Sequence, residues 1–154
     1  MSSAIQTRSL EALEATTLRE MEDAHAKLLK AIAVVETLTR GDVPERAQVI
    51  EARWGISRAS LARRKLWHLI YRNLLSAASD RDRRELKRLY ESDMALLRAS
   101  SEHIARWSIL EVMGDWPGYC EASNAIRWKM KAAIGGEKRI LYPLLENSDI
   151  ERAH

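Results

Sequence analysis

His25, His68, Asp93 and Glu137 carry imidazole or carboxylate groups, and each interrupts an apolar helical stripe, one stripe per predicted helix. A helix face that meets a core normally excludes ionisable groups, because an unpaired buried charge is strongly unfavourable. Four such residues on four helices can meet in one place, and the core of a helical bundle is where metal and cofactor sites are built. The chemistry these types suggest is ligation of a metal ion by nitrogen and oxygen. Each residue also has a plainer reading. His25 can be an interior histidine with its hydrogen bonds satisfied, and Asp93 a partly exposed helix acid. Glu137 can pair with Lys138 or Arg139 at the surface. Their joint placement on inward stripes is what favours a shared site.

The elements that must position them are helices. The first is predicted from about Leu10 to Thr39, with the stripe Leu18, Met21, His25, Leu28, Ile32 and Val35 stepping by three and four. The second runs from near Pro44 to about Ala78, with Gly55 as a place to kink or divide it. Its inner side is read as Leu61, His68, Leu69 and Leu75, with Lys65 and Arg72 on the side of His68. Asp80 is the expected N-cap of the third helix, which carries Leu86, Leu89, Asp93, Leu96, Ser100, Ile104, Trp107 and Leu110 to near Gly114. Asp115 and Pro117 supply the cap and first turn of the fourth. Its stripe is Ile126, Met130, Ala133, Glu137, Leu141 and Leu144, ending around Pro143. Gly135-Gly136 in mid-helix suggests a close helix approach, a bulge or a ligand gap. Four long helices with short connections predict an all-α, up-down-up-down four-helix bundle in a single domain spanning 1–154, with tails at 1–9 and 147–154.

The fourth-helix ending Glu137-Lys-Arg-Ile-Leu-Tyr-Pro-Leu-Leu, with His25 in Asp-Ala-His-Ala-Lys-Leu-Leu, resembles the hemerythrin-like (HHE cation-binding) family of bacteria. That family repeats HxxxE followed by an apolar-Tyr-Pro tail. The resemblance follows helix order over nearly the whole chain and includes Trp107 and Asp115-Trp116. It implies a four-helix bundle around two non-haem irons that bind or sense O₂. Carried over residue by residue, it makes His25 the first-helix ligand and His68 the histidine of the second-helix HxxxE. The matching Glu position is Arg72, Asp93 stands where the third helix usually offers His, and Ala133 replaces a His before Glu137. The implied ligand set thus shrinks to His25, His68, Asp93 and Glu137. Arg72 brings a permanent cation where a bridging carboxylate is expected. An ion-pair network of Arg72 with Glu137 and Asp93 would then occupy the former metal site. No cofactor is expected in that case; iron, as a pair or a single ion, is expected if the four ligands still work.

A second motif competes. Glu51-Ala-Arg-Trp-Gly-Ile-Ser-Arg-Ala-Ser-Leu-Ala-Arg-Arg looks like a DNA-binding helix-turn-helix, with Gly55 at the turn, Ile56 and Leu61 packed inward, and Ser57 capping a basic helix. Glu51 falls where two such helices touch and a small residue is wanted. No Ser-His-acid set has a supporting motif, Cys120 has no adjacent base and no Gly-rich phosphate loop occurs, so catalysis is not expected.

The totals agree with a helical domain. The chain has 154 residues, 46% hydrophobic and 31% charged, with three prolines and six glycines. That length supports a real core, and that charge suits long helices with solvated outer faces. The net charge of +3 is too small to mark a nucleic-acid binder by itself. Basic groups at Arg58, Arg63, Arg64, Lys65 and Arg72, and at Arg81, Arg83, Arg84, Lys87 and Arg88, read as solvated surface. A lone cysteine, no secretory leader and no apolar run of membrane length point to the cytoplasm and away from a membrane. The expected role is non-catalytic binding, sensing or regulation. Trp54, Trp67, Trp107, Trp116 and Trp128 offer anchors for a protein partner or homodimer, although core packing is the commoner use of a helical Trp.

Overall fold

The computed structural model describes the side chains of residues 17–147, and all regular structure among the described residues is helical. Helix α1 spans Ser2–Thr39, α2 Arg46–Ala77, α3 Asp80–Arg106, α4 Ile109–Gly114 and α5 Trp116–Ala153. The side chains of the tails expected at 1–9 and 147–154 lie outside the described ones, Asn147 apart. Among the described residues no helix is long and apolar enough to cross a membrane.

Local chemistry sets the boundaries. Ser79 caps α3 by accepting from the Asp82 N–H at 3.2 Å, so the cap stands one residue before the expected Asp80. The third helix also ends early. Trp107 leaves helical geometry at φ −109°, ψ 73°, and Ser108 starts α4 by accepting from the Glu111 N–H at 3.3 Å. A serine that can cap a new helix competes here with continuation of the old one. Asp115 caps α5 as expected, its Oδ1 accepting from the Gly118 N–H at 3.1 Å. A Cβ on Gly118 would lie 2.3 Å from Asp115 Oδ2, so any larger residue there would make the capping carboxylate shift. Helix α5 continues past Pro143, where an end was expected. The burial of Leu145 beyond it offsets the backbone bond that proline removes. Gly136 makes a modest close approach, since a Cβ there would meet Leu89 Cδ1 at 3.4 Å, whereas Gly135 faces open space.

Helix α1 packs on α2 and α5, and α3 packs chiefly on α5. The core is layered. Met21, Trp67, Ile70, Leu86, Leu89, Leu141 and Leu145 form one apolar cluster. Leu28, Ile32, Leu96, Ile126, Met130 and Ile134 form the next. Val49, Trp107, Val112, Trp116 and Tyr119 close the far end. Read through these layers, α1 and α3 run one way and α2 and α5 the other.

The largest departure from expectation is the rotation of α2. Its buried face is Val49, Ala52, Arg63, Trp67 and Ile70. Leu61 and Leu69, expected inside, are 47% and 48% exposed. The helix also runs unbroken through Gly55, so no turn forms there and Ser57 lies in mid-helix. That geometry is not a helix-turn-helix. Urea unfolding checks the rotation. Ile70→Ala is expected to cost about 2–5 kcal/mol as a buried truncation, whereas Leu61→Ala stays within about 0.5 kcal/mol.

Candidate functional site

Between the first two apolar layers lies a polar one. Each of its members sits about one turn from an apolar residue on either side: His25 between Met21 and Leu28, Asp93 between Leu89 and Leu96, and Glu137 between Ile134 and Leu141. The fourth member is Arg63, one turn before Trp67 and 1% exposed. Its guanidinium bridges the two acids. Nη1 donates to Glu137 Oε1, and Nη2 donates to Asp93 Oδ1 at 2.7 Å.

The second oxygen of each carboxylate meets a histidine. His25 Nε2 lies 3.0 Å from Glu137 Oε2, and His68 Nε2 lies 3.3 Å from Asp93 Oδ2. At its other ring nitrogen, His25 Nδ1 is 2.6 Å from the Tyr142 hydroxyl. The result is a continuous chain, Tyr142–His25–Glu137–Arg63–Asp93–His68, drawn from α1, α2, α3 and α5. Glu137, Asp93 and His25 are buried, and His68 lies at the edge with its side chain 34% exposed. A second wall of rings flanks His68: its centroid is 5.6 Å from Tyr90, which stacks on Tyr71 at 4.6 Å.

The electrostatics follow from burial. Desolvation by itself would lower the Arg63 pKa, but the Glu137 and Asp93 carboxylates outweigh it and hold the group above the usual arginine range. Arg63 is therefore a fixed cation. The Tyr142 phenol is pushed up to about 12, first by burial and then by the nearby negative charges of Glu22 and Glu137. It remains a protonated hydroxyl that can donate to His25 Nδ1 in the neutral imidazole.

All four expected ligands thus come together, but Arg72 does not join them. It is exposed. At about 100° per residue, the nine positions from Arg63 to Arg72 turn the helix by about 180°, so the two arginines point to opposite sides. The cation of the network is Arg63, which the sequence reading placed among the solvated basic residues. The signal was present: Val49, Ala52, Ile56, Arg63, Trp67, Ile70 and Leu74 step by threes and fours with one gap near Ala59 and Ser60. Tyr142 belonged to the quoted Tyr-Pro tail without a role. Arg127, also buried, was missed; its Nε donates to the Ser123 carbonyl at 3.1 Å and its Nη2 to Thr39 Oγ1 at 3.3 Å.

The donor set does not suit the iron pair that the resemblance implies. One oxygen of each carboxylate is held by a guanidinium, and the cation stands between the acids where a metal would have to sit. Among the described residues no group of three or more His, Cys, Asp or Glu side chains is arranged to hold a metal ion. Cys120 is half-buried, and burial raises its thiol pKa, which makes it a poor nucleophile. Comparison with protein-family models, with curated proteins and with solved structures finds no match to this chain.

Removing only the cation leaves two buried carboxylates uncompensated. Arg63→Met is expected to cost about 3–5 kcal/mol in urea unfolding. The triple variant Arg63→Met/Asp93→Leu/Glu137→Leu recovers most of that loss, because no unpaired charge remains. Alkaline titration gives a separate check. The folded Tyr142 pKa lies above its unfolded value, so its stabilising contribution is whole below pH 10 and lost between pH 10 and about 12. Tyr142→Phe should flatten the stability curve over that interval.

Proposed function

We propose that this chain is a hemerythrin-like, up-down-up-down four-helix bundle whose metal site has been replaced by a side-chain ion-pair network, and that it acts as a non-catalytic binding, sensory or regulatory protein. The observation that carries this reading is the Arg63 guanidinium bonded to both Glu137 and Asp93 in the buried polar layer. The alternation of helix directions through the apolar layers supports the bundle, and the convergence of His25, His68, Asp93 and Glu137 supports the ancestry. The guanidinium supplies the positive charge that metal ions would supply, without their open coordination positions for O₂.

A network of this kind is better suited to specifying one packing arrangement than to adding net stability. The reading of the chain as an O₂ or redox sensor that uses iron would require Arg63 to leave both carboxylates. Trp67, Trp107 and Trp116 are spent on the core, whereas Trp54 and Trp128 are 61% and 72% exposed and remain available to a partner.

Elemental analysis and a visible spectrum of protein purified from iron-supplemented cells test the proposal. The wild-type chain should be colourless, with iron well below one ion per chain. Arg63→Ala, which frees both carboxylates beside His25 and His68, should gain affinity for a divalent ion such as Zn²⁺. Stoichiometric iron in the wild-type protein would overturn the proposal.

A further inference from the structure

Away from the polar layer, α2, α3 and α5 line a half-open cavity of about 190 Å³. Its walls are apolar at Leu97, Ile126 and Met130, and Ile104, itself 55% exposed, stands at its edge. Ser57, Ser60 and Ser100 line another part. Arg53 and Arg64 bring two cations to the lining, and no carboxylate faces them there. Arg53 is already fixed: its Nη2 donates to the Trp107 carbonyl at 2.5 Å, and its guanidinium lies 5.7 Å from the Tyr119 ring centroid. Arg64 is different. Its Nε is buried without a hydrogen-bond partner, and so is the hydroxyl of Ser60. Both atoms are shut away from the cavity, so Arg64 meets it through the rest of its guanidinium, and the lining holds no carboxylate to neutralise that charge.

We propose that this cavity binds a small monocarboxylic acid with a compact apolar body, a ring or a short chain, whose carboxylate pairs with the Arg64 guanidinium. Size, polarity and charge agree on that class. A cavity of about 150 Å³ holds benzene in other proteins, so this one admits a ring with one carboxylate. A planar guanidinium matches a carboxylate, and the apolar walls discriminate against inorganic phosphate. The local field is under-neutralised. Burial lowers the Arg64 pKa, with Asp93 opposing and neighbouring Arg63 reinforcing that shift. His103 on the same wall is lowered by burial and by the cations Arg53 and Arg127. A bound anion would relieve both. The pocket goes beyond the metal-replacement reading and does not rest on it, since none of its lining residues belongs to the buried chain.

Isothermal titration calorimetry of the intact protein at neutral pH tests it with benzoate, hexanoate and the neutral isostere benzyl alcohol. Saturable one-to-one binding of benzoate or hexanoate is expected, with benzyl alcohol at least about tenfold weaker. Arg64→Met should weaken benzoate by about tenfold to a hundredfold. Circular dichroism confirms that this variant is folded. Absence of saturable binding by both acids, equal binding of benzyl alcohol, or unchanged affinity in folded Arg64→Met would overturn the proposal. The iron content of the sample bears on none of these outcomes.

Discussion

One guanidinium shared between two buried carboxylates is the constraint around which the described part of this chain is arranged. Arg63 comes from α2, Asp93 from α3 and Glu137 from α5, and His25 ties α1 to Glu137. Hydrophobic burial is non-directional and tolerates sliding and rotation. Charge-assisted hydrogen bonds do not, because each oxygen must meet its donor within a few tenths of an ångström. The apolar layers on either side supply the favourable burial, and the polar layer between them fixes their register. The low dielectric of the core strengthens the network when it is complete and penalises any missing member.

Completeness is not perfect. Arg63 Nε and Trp67 Nε1 are buried donors with no partner among the described residues. They lie one turn apart on the same face of α2. An unpaired buried donor costs about 1–3 kcal/mol. The chain therefore tolerates a local penalty to place a fully buried tryptophan one turn from the bridging cation. Tyr142 extends the order outward, since its hydroxyl holds His25 from the side opposite Glu137.

Much of this was legible in the sequence, for a physical reason. On α1, α3 and α5 the apolar stripe is single, so a polar residue interrupting it stands out, and His25, Asp93 and Glu137 were found that way. On α2 the apolar residues occupy two sides. Leu61 and Leu69 lie on the outside, together with Ile50 and Trp54, while Val49, Trp67 and Ile70 lie inside. Periodicity cannot choose between two such stripes, and an arginine is the last residue expected at a core position. The choice of Leu61 and Leu69 carried Arg72 inward with them and left Arg63 in solvent. His68 survived the error because it sits at the boundary of both faces. The break at Trp107–Ser108 was missed for a related reason: a serine cap matters only where tertiary packing lets the chain turn.

The two-sided character of α2 has a consequence for how the fold is selected. A helix with an apolar strip on each side has two orientations that oiliness alone scores alike. Turned by half a revolution, α2 would present Leu61 and Leu69 to its neighbours and offer Glu137 and Asp93 the point charge of Lys65 in place of a fork that spans both. The guanidinium thus works as a key whose teeth fit only one setting. The outer strip is then what the lock leaves on the face the key has turned outward.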